Sequence, residues 1–310
     1  MFRLKLVPNE TGIEFIKQRY IAYALSAALV VASIGLFFAN GLNFGIDFRG
    51  GTMIEIETEG PADVGDIRGR LSALNLGDVQ VQAFGAPNDV LIRVEQQSEA
   101  AASDQNVVEA IRAELGEGVE YRRVEVVGPK VSSELVEAGA LAVLMSVILM
   151  LVYIWFRFEW QFSVGAVLAL VHDVALTIGV FSVLQLEFNL SIIAAILTIV
   201  GYSMNDTVVV YDRVRENLRK YKKLELGHLL DKSINETLSR TVMTSVTTLL
   251  ALLALYVFGG EVIRGFTFAM MWGVLVGTYS SIFIASPLLM VLGVKRDWSI
   301  AASDPSGARP

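Results

Sequence analysis

The chain has 310 residues, of which 54% are hydrophobic and only 18% are charged, and its formal net charge is −7. This composition is that of a membrane protein rather than of an ordinary soluble domain. The absence of cysteine excludes disulfides, thiol nucleophiles, and zinc or iron–sulfur sites built on thiolates.

The chain opens with a short basic segment, residues 1–19, followed by an apolar run at 21–39. This run is longer than the roughly 7–15 residues of a signal-peptide core, and no A-x-A cleavage site follows it. We therefore predict a retained transmembrane helix over residues 20–40.

Residues 41–130 change to short alternating stretches broken by Gly, Pro and Asp, which indicates a folded domain outside the membrane. Asp63 opens one predicted helix, which runs to about Leu76, and Ser103 caps a second that Gly116 and Gly118 close. Strands are predicted at 52–58, 79–84, 90–94 and 119–127. The order βαββαβ is the ferredoxin-like α+β arrangement. We see no metal-ligand cluster or phosphate loop in this domain, and we expect a binding or docking role for it.

Residues 131–294 carry five further apolar runs, which predict a five-helix transmembrane bundle. With the first helix this makes an α-helical polytopic membrane protein with six transmembrane helices. A basic loop at 212–240 and a tail at 295–310 complete the predicted organisation. The runs are 138–156, 162–186, 188–210, 241–258 and 266–294.

Lys and Arg residues are distributed unevenly between the two sides of these spans. Four precede the first span, eight lie between the fourth and fifth, and Lys295 and Arg296 directly follow the sixth, whereas Arg264 alone occupies the short opposite connections. The positive-inside rule then places both termini and the basic loop in the cytoplasm and the domain at 41–130 outside. Residues 41–137 hold 18 acidic against 8 basic residues, which is compatible with that placement.

A few charged residues interrupt the apolar runs. His172 and Asp173 lie within the third run, Asp206 lies within the fourth, and Arg240 stands at the start of the fifth. An ionisable group at membrane depth costs several kcal/mol unless it has a partner or a water-filled cavity. Carboxylates with an arginine nearby are what a proton or ion pathway requires.

Small and polar residues recur at helical spacing in the third to fifth runs, and we predict that they share a partly hydrated interior. The sixth run carries a G-x-x-x-G pair and Pro287, where we predict a kink. The stripe of the third run contains Gly165, Ala169, His172, Asp173 and Thr177. That of the fourth contains Ser191, Ala195, Thr198, Tyr202 and Asn205, and that of the fifth contains Arg240, Thr244, Thr247 and Ala251.

Each of these residues also has a structural interpretation. Arg240 can be an interfacial positive-inside residue, and Asp206 can reach the cytoplasmic surface from near the end of its run. His172 and Asp173 can form a structural hydrogen bond between helices, and the G-x-x-x-G pair can serve packing alone. The residues leave both interpretations open.

Several motifs resemble those of the SecD/SecF family of protein-export membrane subunits, in particular its smaller SecF member. The motifs are LNFGIDFRGGT at 42–52, HDV at 172–174, GYSMNDTVVVYDRVREN at 201–217, SINETLSRTVMTS at 233–245 and GTYSSIFIASPLL at 277–289. The resemblance covers nearly the whole chain up to about Asp297. It implies one half of a transporter of the RND type, in which Asp206 and Arg240 match the family's proton-conducting residues. From its place within the third run we add Asp173 as a candidate for the proton pathway, and we expect supporting polar roles for His172, Asn205, Thr207 and Thr244.

The resemblance also implies a function and partners. The chain is expected to act with SecD in the bacterial inner membrane, where the complex uses the proton motive force to assist translocation by the SecYEG channel. Its further expected contacts are the emerging unfolded polypeptide and membrane lipid, with no nucleic acid, no cofactor and no metal.

Other functions remain open. One alternative is an RND-like half-transporter for a lipid or small molecule, which favours a large apolar pocket at the external interface. Another is a non-conducting assembly factor of the secretion channel, which tolerates neutralisation of Asp206. An intramembrane protease is not expected, since H-E-x-x-H is absent and neither aspartate lies in a G-x-G-D context.

Overall fold

A computed structural model describes residues 11–95 and 104–294 of the chain. These residues form a helical bundle and one α+β domain that lies against one end of it. Residues 1–10 of the predicted N-terminal segment, the predicted cap Ser103 and the predicted tail 295–310 lie outside the described residues.

Six helical units in the described part of the chain are long and apolar enough to cross a membrane, which confirms the predicted number of spans. The sixth unit has three parts, two α-helices joined by a π-helical segment. The third, fourth and sixth units bury the largest share of their residues, whereas the second and fifth units remain mostly exposed. The units are α1 (Arg19–Asn40), α5 (Pro129–Arg157), α6 (Trp160–Leu184), α7 (Leu190–Lys220), α8 (Leu226–Phe258) and α9 (Arg264–Ser280) with the π segment (Ser281–Ala285) and α10 (Ser286–Val291).

The stretch 212–240, which we predicted as a basic loop, is mostly helical. Helix α7 continues to Lys220 and α8 starts at Leu226, so that only residues 221–225 connect them. Asn217 on α7 donates hydrogen bonds to Ser233 (3.0 Å) and Glu236 (2.7 Å) on α8. Such pairs hold two helices together beyond the apolar runs, where charged side chains meet solvent.

The sixth unit changes its hydrogen-bonding pattern just before Pro287, close to the predicted kink. Proline has no N–H with which to bond the carbonyl one turn earlier. The π segment precedes it, and the Ser286 hydroxyl donates to the Ser281 carbonyl at 2.8 Å. A side chain thus bonds one of the carbonyls of this irregular turn.

The α+β domain has the predicted βαββαβ order. Its sheet runs β3-β4-β2-β5, with every neighbouring pair antiparallel, which is the ferredoxin-like topology. Asp63 caps α3 as predicted, accepting from the N–H groups of Gly65 and Asp66, but α3 ends four residues before Leu76. The elements are β2 (Gly51–Thr58), α3 (Val64–Ser72), β3 (Val79–Ala83), β4 (Asp89–Glu95), α4 (Asp104–Leu115) and β5 (Val119–Val127).

A short connection between domain and bundle was not predicted. After α1 the chain forms β1 (Asn43–Phe44) and a one-turn helix α2 (Ile46–Arg49) before it enters the sheet. Strand β1 pairs in parallel with β6 (Glu187–Phe188), in the connection between α6 and α7. Gly50 and Gly51 have φ values of 74° and 125°, which favour glycine and explain the paired glycines of the motif.

Candidate functional site

Asp206 lies on the buried face of α7, where two hydroxyl groups from other helices bind its carboxylate. Thr241 of α8 donates to Oδ1 and Ser281 of the π segment donates to Oδ2, both at 2.5 Å. The residue is 7% exposed. A carboxylate held in this way points into the bundle, which argues against the interpretation that Asp206 reaches the surface.

Asp173 on α6 forms a second, deeper carboxylate site. Its Oδ2 atom accepts hydrogen bonds from Ser203 of α7 at 2.6 Å and from Ser280 of α9 at 2.7 Å, and Oδ1 lies 2.9 Å from His172 Nδ1. Asp173 is 1% exposed and His172 is 5% exposed. The predicted interhelical hydrogen bond is therefore present, and it involves three helices.

The two carboxylates are neighbours in one constellation. Ser203 and Asp206 lie three residues apart on α7 and so share one helix face. Ser280 and Ser281 are consecutive, and one binds each aspartate. The bundle thus brings four hydroxyl groups from three helices to two buried aspartates.

The serine hydroxyls have alternative acceptors on their own helix. Ser280 Oγ lies 3.2 Å from the Gly277 carbonyl, and Ser281 Oγ lies 3.0 Å from the Thr278 carbonyl. A hydroxyl donates to an ionised carboxylate and accepts from a protonated one. Each serine can therefore turn its proton to the backbone when the aspartate becomes protonated, and the site accommodates both charge states.

Arg240 binds neither aspartate directly. Its side chain is exposed, and within the described residues neither Asp206 nor Asp173 forms a direct ion pair with an arginine or a lysine, but the Arg240 guanidinium interacts electrostatically with the Asp206 carboxylate. Asn205 and Thr244 are exposed as well, whereas Thr207 is buried. Of the predicted site residues, the structure brings Asp206, Asp173 and His172 into the interior and leaves Arg240, Asn205 and Thr244 on the outer surface.

Within this chain the structure buries one predicted polar stripe and leaves most residues of the other two exposed. The stripe of α6 is buried between helices. Periodicity identifies a helix face but not what covers it, and the polar faces of α7 and α8 lie on the outside of the bundle. The exposed residues are Ser191, Thr198 and Asn205 on α7, and Arg240, Thr244, Thr247 and Ala251 on α8.

The four hydroxyl donors were not singled out from the sequence. Two of them could have been identified by their position next to a charged residue. Ser203 lies three residues before Asp206, and Thr241 follows Arg240 directly. Ser280 and Ser281 carry no such signal, since adjacent serines in an apolar helix are common packing residues. Among the described residues, no group of three or more His, Asp and Glu residues is placed to hold a metal ion.

Comparison with known proteins identifies the family. Residues 107–295 match the family model described as "Protein export membrane protein SecD/SecF, C-terminal", and residues 35–62 match the SecD/SecF GG motif. The first match covers well over half of the chain. The second spans the paired glycines and the connection between α1 and the sheet.

Relatives of two lengths are similar to the chain. It is 46% identical over 311 residues to the protein translocase subunit SecF of Rhodobacter capsulatus, covering 96% of this chain and 93% of that protein. It is 47% identical over 294 residues to the protein translocase subunit SecDF of Brucella abortus, covering 94% of this chain and 39% of that protein.

Solved structures agree with these relatives. The crystal structure of SecDF from Thermus thermophilus superposes with a TM-score of 0.83 at 37% identity and covers 94% of this chain and 40% of that one. The chain thus matches most of a separate SecF subunit and about two fifths of the longer SecDF proteins. It belongs to the SecD/SecF family of protein-export membrane proteins.

Proposed function

We propose that this chain acts as the SecF-type half of a proton-driven complex that assists translocation through SecYEG on the external side of the membrane. The observation that carries the proposal is the pair of buried aspartates whose carboxylates accept hydrogen bonds from serine and threonine hydroxyl groups. Relatives that are named translocase subunits support the export role. We propose no catalytic role and no cofactor.

The geometry suits a carboxylate that changes its protonation state. A fixed cation beside Asp206 would hold it ionised, whereas burial favours the neutral form and hydroxyl donors favour the charged form. Exposure to one side of the membrane and then the other would load and release a proton. A membrane potential supplies about 2.3 kcal/mol per elementary charge per 100 mV for such a cycle.

The complete pathway is proposed to include a partner. Arg240 and the polar faces of α7 and α8 are exposed here, and a SecD chain with its own membrane helices is the partner that we propose for them. The fused SecDF relatives, which are more than twice as long, support this arrangement. The distribution of Lys and Arg supports a multi-pass protein of the bacterial inner membrane with both termini in the cytoplasm.

One observation favours the alternative of a half-transporter for a lipid or small molecule. A cleft of about 810 Å³ opens between the α+β domain and the ends of the membrane helices. Its lining mixes apolar residues with five carboxylate side chains, which suits a purely apolar cargo poorly. The apolar side chains include Met53, Phe84, Leu91 and Phe266, and the acidic ones are Asp47, Glu55, Glu125, Glu187 and Glu261.

Substitution of Asp206 tests the proposal. Asn has nearly the same shape and keeps one acceptor oxygen, and its NH2 group can donate to the second hydroxyl, but it cannot cycle a proton. In membrane vesicles that carry the complete complex, Asp206→Asn is expected to abolish proton-gradient-dependent release of a secreted protein while complex assembly persists. Asp212→Asn on the same helix is the matched control, because Asp212 is an exposed partner of Arg157.

The outcome separates the three functions. Wild-type stimulation by Asp206→Asn would favour the non-conducting assembly factor. Loss of lipid or small-molecule export, with protein release unchanged, would favour the half-transporter.

A further inference from the structure

Residues 41–50 interlock with residues 185–190, the connection between α6 and α7. Besides the β1–β6 pair, the Gly45 N–H donates to the Phe188 carbonyl at 2.9 Å and the Asn43 amide donates to the Gln185 carbonyl at 3.0 Å. A side chain on Gly45 would bring its Cβ atom within 2.6 Å of a Glu187 carboxylate oxygen. A larger residue at position 45 would have to displace the Glu187 carboxylate.

Asp47 caps the helix that carries Asp206. Its Oδ2 atom accepts the backbone N–H of Leu190, the first residue of α7, at 2.8 Å. The first N–H groups of a helix have no partner within the helix, and a carboxylate satisfies both that donor and the positive end of the helix dipole. The capping residue comes from the segment that enters the sheet, so the bond crosses between domain and bundle.

A partly buried ion pair makes a second crossing. Arg93 on β4 is 7% exposed and donates to Glu187 of β6, whose side chain is 24% exposed. Burial raises the pKa of the Glu187 carboxyl, and the Arg93 guanidinium acts in the opposite direction. Asp47 and Glu125 also face this carboxyl and add negative charge. Such a pair favours one relative position, since separating its members leaves the buried Arg93 charge without this partner.

Aromatic contacts fill the space between these polar links. Phe188 lies 6.0 Å from Phe44, 5.9 Å from Phe48 and 5.9 Å from Phe181, measured between ring centroids. Phe44 and Phe48 belong to the segment before the sheet, and Phe181 belongs to α6. Phe44 and Phe181 meet Phe188 edge to face, one of the arrangements that aromatic pairs favour, and Phe48 meets it at a tilt.

We propose that this interlock is the joint through which displacement of α7 reaches the external sheet, with Asp47, Arg93 and Glu187 as its positioning residues. The inference rests on the proposed proton-driven function and names the mechanical link that this function requires. Asp206 and Asp47 act on the same helix, one within the bundle and one at its end. Displacement of α7 would reach strand β4 through the Arg93–Glu187 ion pair. It would reach strand β2 through the backbone at Gly50 and Gly51, which joins α2 to β2.

Charge exchange tests the joint in vesicles that carry the complete complex. Arg93→Glu and Glu187→Arg alone are each expected to reduce proton-dependent release of a secreted protein by about five-fold or more, since each leaves like charges buried together. The double exchange is expected to recover about half of the wild-type release or more, because it restores an opposite-charge pair. Asp47→Ala is expected to reduce release as the single charge variants do. Asp47→Asn keeps an acceptor for the Leu190 N–H and is therefore expected to retain more release than Asp47→Ala.

Proton conduction distinguishes a broken joint from a misfolded protein. A pH-sensitive dye enclosed in the same vesicles is expected to show continued proton entry in the single variants, so that proton flow is uncoupled from release. Arg70→Gln is the control, because its ion pair with Glu114 lies within the α+β domain.

The outcomes are distinguishable. Wild-type release by the single variants, loss of conduction together with release, or no recovery in the double exchange would overturn the joint. If the wild-type complex itself shows no proton-dependent release, the proposed function fails and the joint fails with it.

Discussion

Serine and threonine hydroxyl groups donate hydrogen bonds to both buried aspartates. A hydrogen bond to a charged group is worth about 1.5–3 kcal/mol, less than the full cost of placing the charge at membrane depth. Two hydroxyl bonds on Asp206 therefore offset part of this cost and leave the protonated form accessible. Neutral donors permit a protonation cycle that a permanent cation would oppose.

Removal of these donors is expected to impair the proposed function without removing the aspartate. Ser281→Ala and Thr241→Val each remove one bond to ionised Asp206, so each is expected to reduce proton-dependent release by roughly ten-fold, the equivalent of about 1.4 kcal/mol. Vesicle release assays over a range of external pH values measure this effect.

Thr267→Val provides the matched control on α9. The Thr267 hydroxyl is buried but donates only to the Ile263 carbonyl of its own helix. If the control lost as much activity as Ser281→Ala, the hydroxyl bonds to Asp206 would have no special role.

At this scale the sequence predicted the charged members of the site but not its neutral ones. Asp173 and Asp206 are identified by the cost of a charge inside an apolar run. Ser280 and Ser281 carry no comparable cost, so that only the packing of α9 against α6 and α7 reveals them. Arg240 was identified by the same cost of a charge beside an apolar run. Its exposed position follows from the rotation of α8 about its axis, which the sequence does not show.

Among the elements, α9 approaches α7 most closely at its two spaced glycines. A Cβ atom on Gly273 would collide with Ile199, and one on Gly277 would lie 2.9 Å from the Cβ atom of Ser203. The G-x-x-x-G pair therefore serves packing, as the structural interpretation held. That packing also places Ser203 and Ser280 on either side of Asp173.

Gly277→Ala is expected to disturb stability and site together. The added methyl group must displace Ser203, and overpacking of this kind costs typically about 1–3 kcal/mol. Thermal unfolding in detergent is expected to begin at a lower temperature, with a parallel loss of proton-dependent release. Gly201→Ala on α7 meets no atom within 4 Å and is expected to change neither. Equal stability of the two variants would contradict the close packing.

The elements themselves were predicted where a local pattern existed. The last strand was predicted with its observed bounds, Val119–Val127, because alternation is a local signal. The β1–β6 pair was missed because its strands have two residues each and come from distant parts of the chain. The helical parts of the stretch 212–240 were missed because its many charged residues were taken to indicate a loop. A charged segment can instead continue a membrane helix into the solvent.

In the whole molecule, the exposed polar faces of α7 and α8 are unusual for helices that cross a membrane. Polar side chains facing lipid are costly, which favours a covered surface over a lipid-facing one. This chain covers only about two fifths of the longer SecDF relatives, so those proteins contain a further part that this chain lacks. We therefore expect the partner's helices to cover Arg240, Thr244 and Thr247.

Cysteine labelling tests this placement directly, because the chain has no cysteine of its own. A nitroxide spin label on Thr247→Cys is expected to be mobile in the isolated chain and to become immobilised in the complex with SecD. Leu253→Cys is the control on the same helix. It lies about 120° away around the axis at 3.6 residues per turn, is 46% exposed, and its label is expected to stay mobile in both. If the label on Leu253→Cys became immobilised while that on Thr247→Cys stayed mobile, the apolar side of α8 would be the partner surface, and Arg240 would have to act from a lipid-facing position.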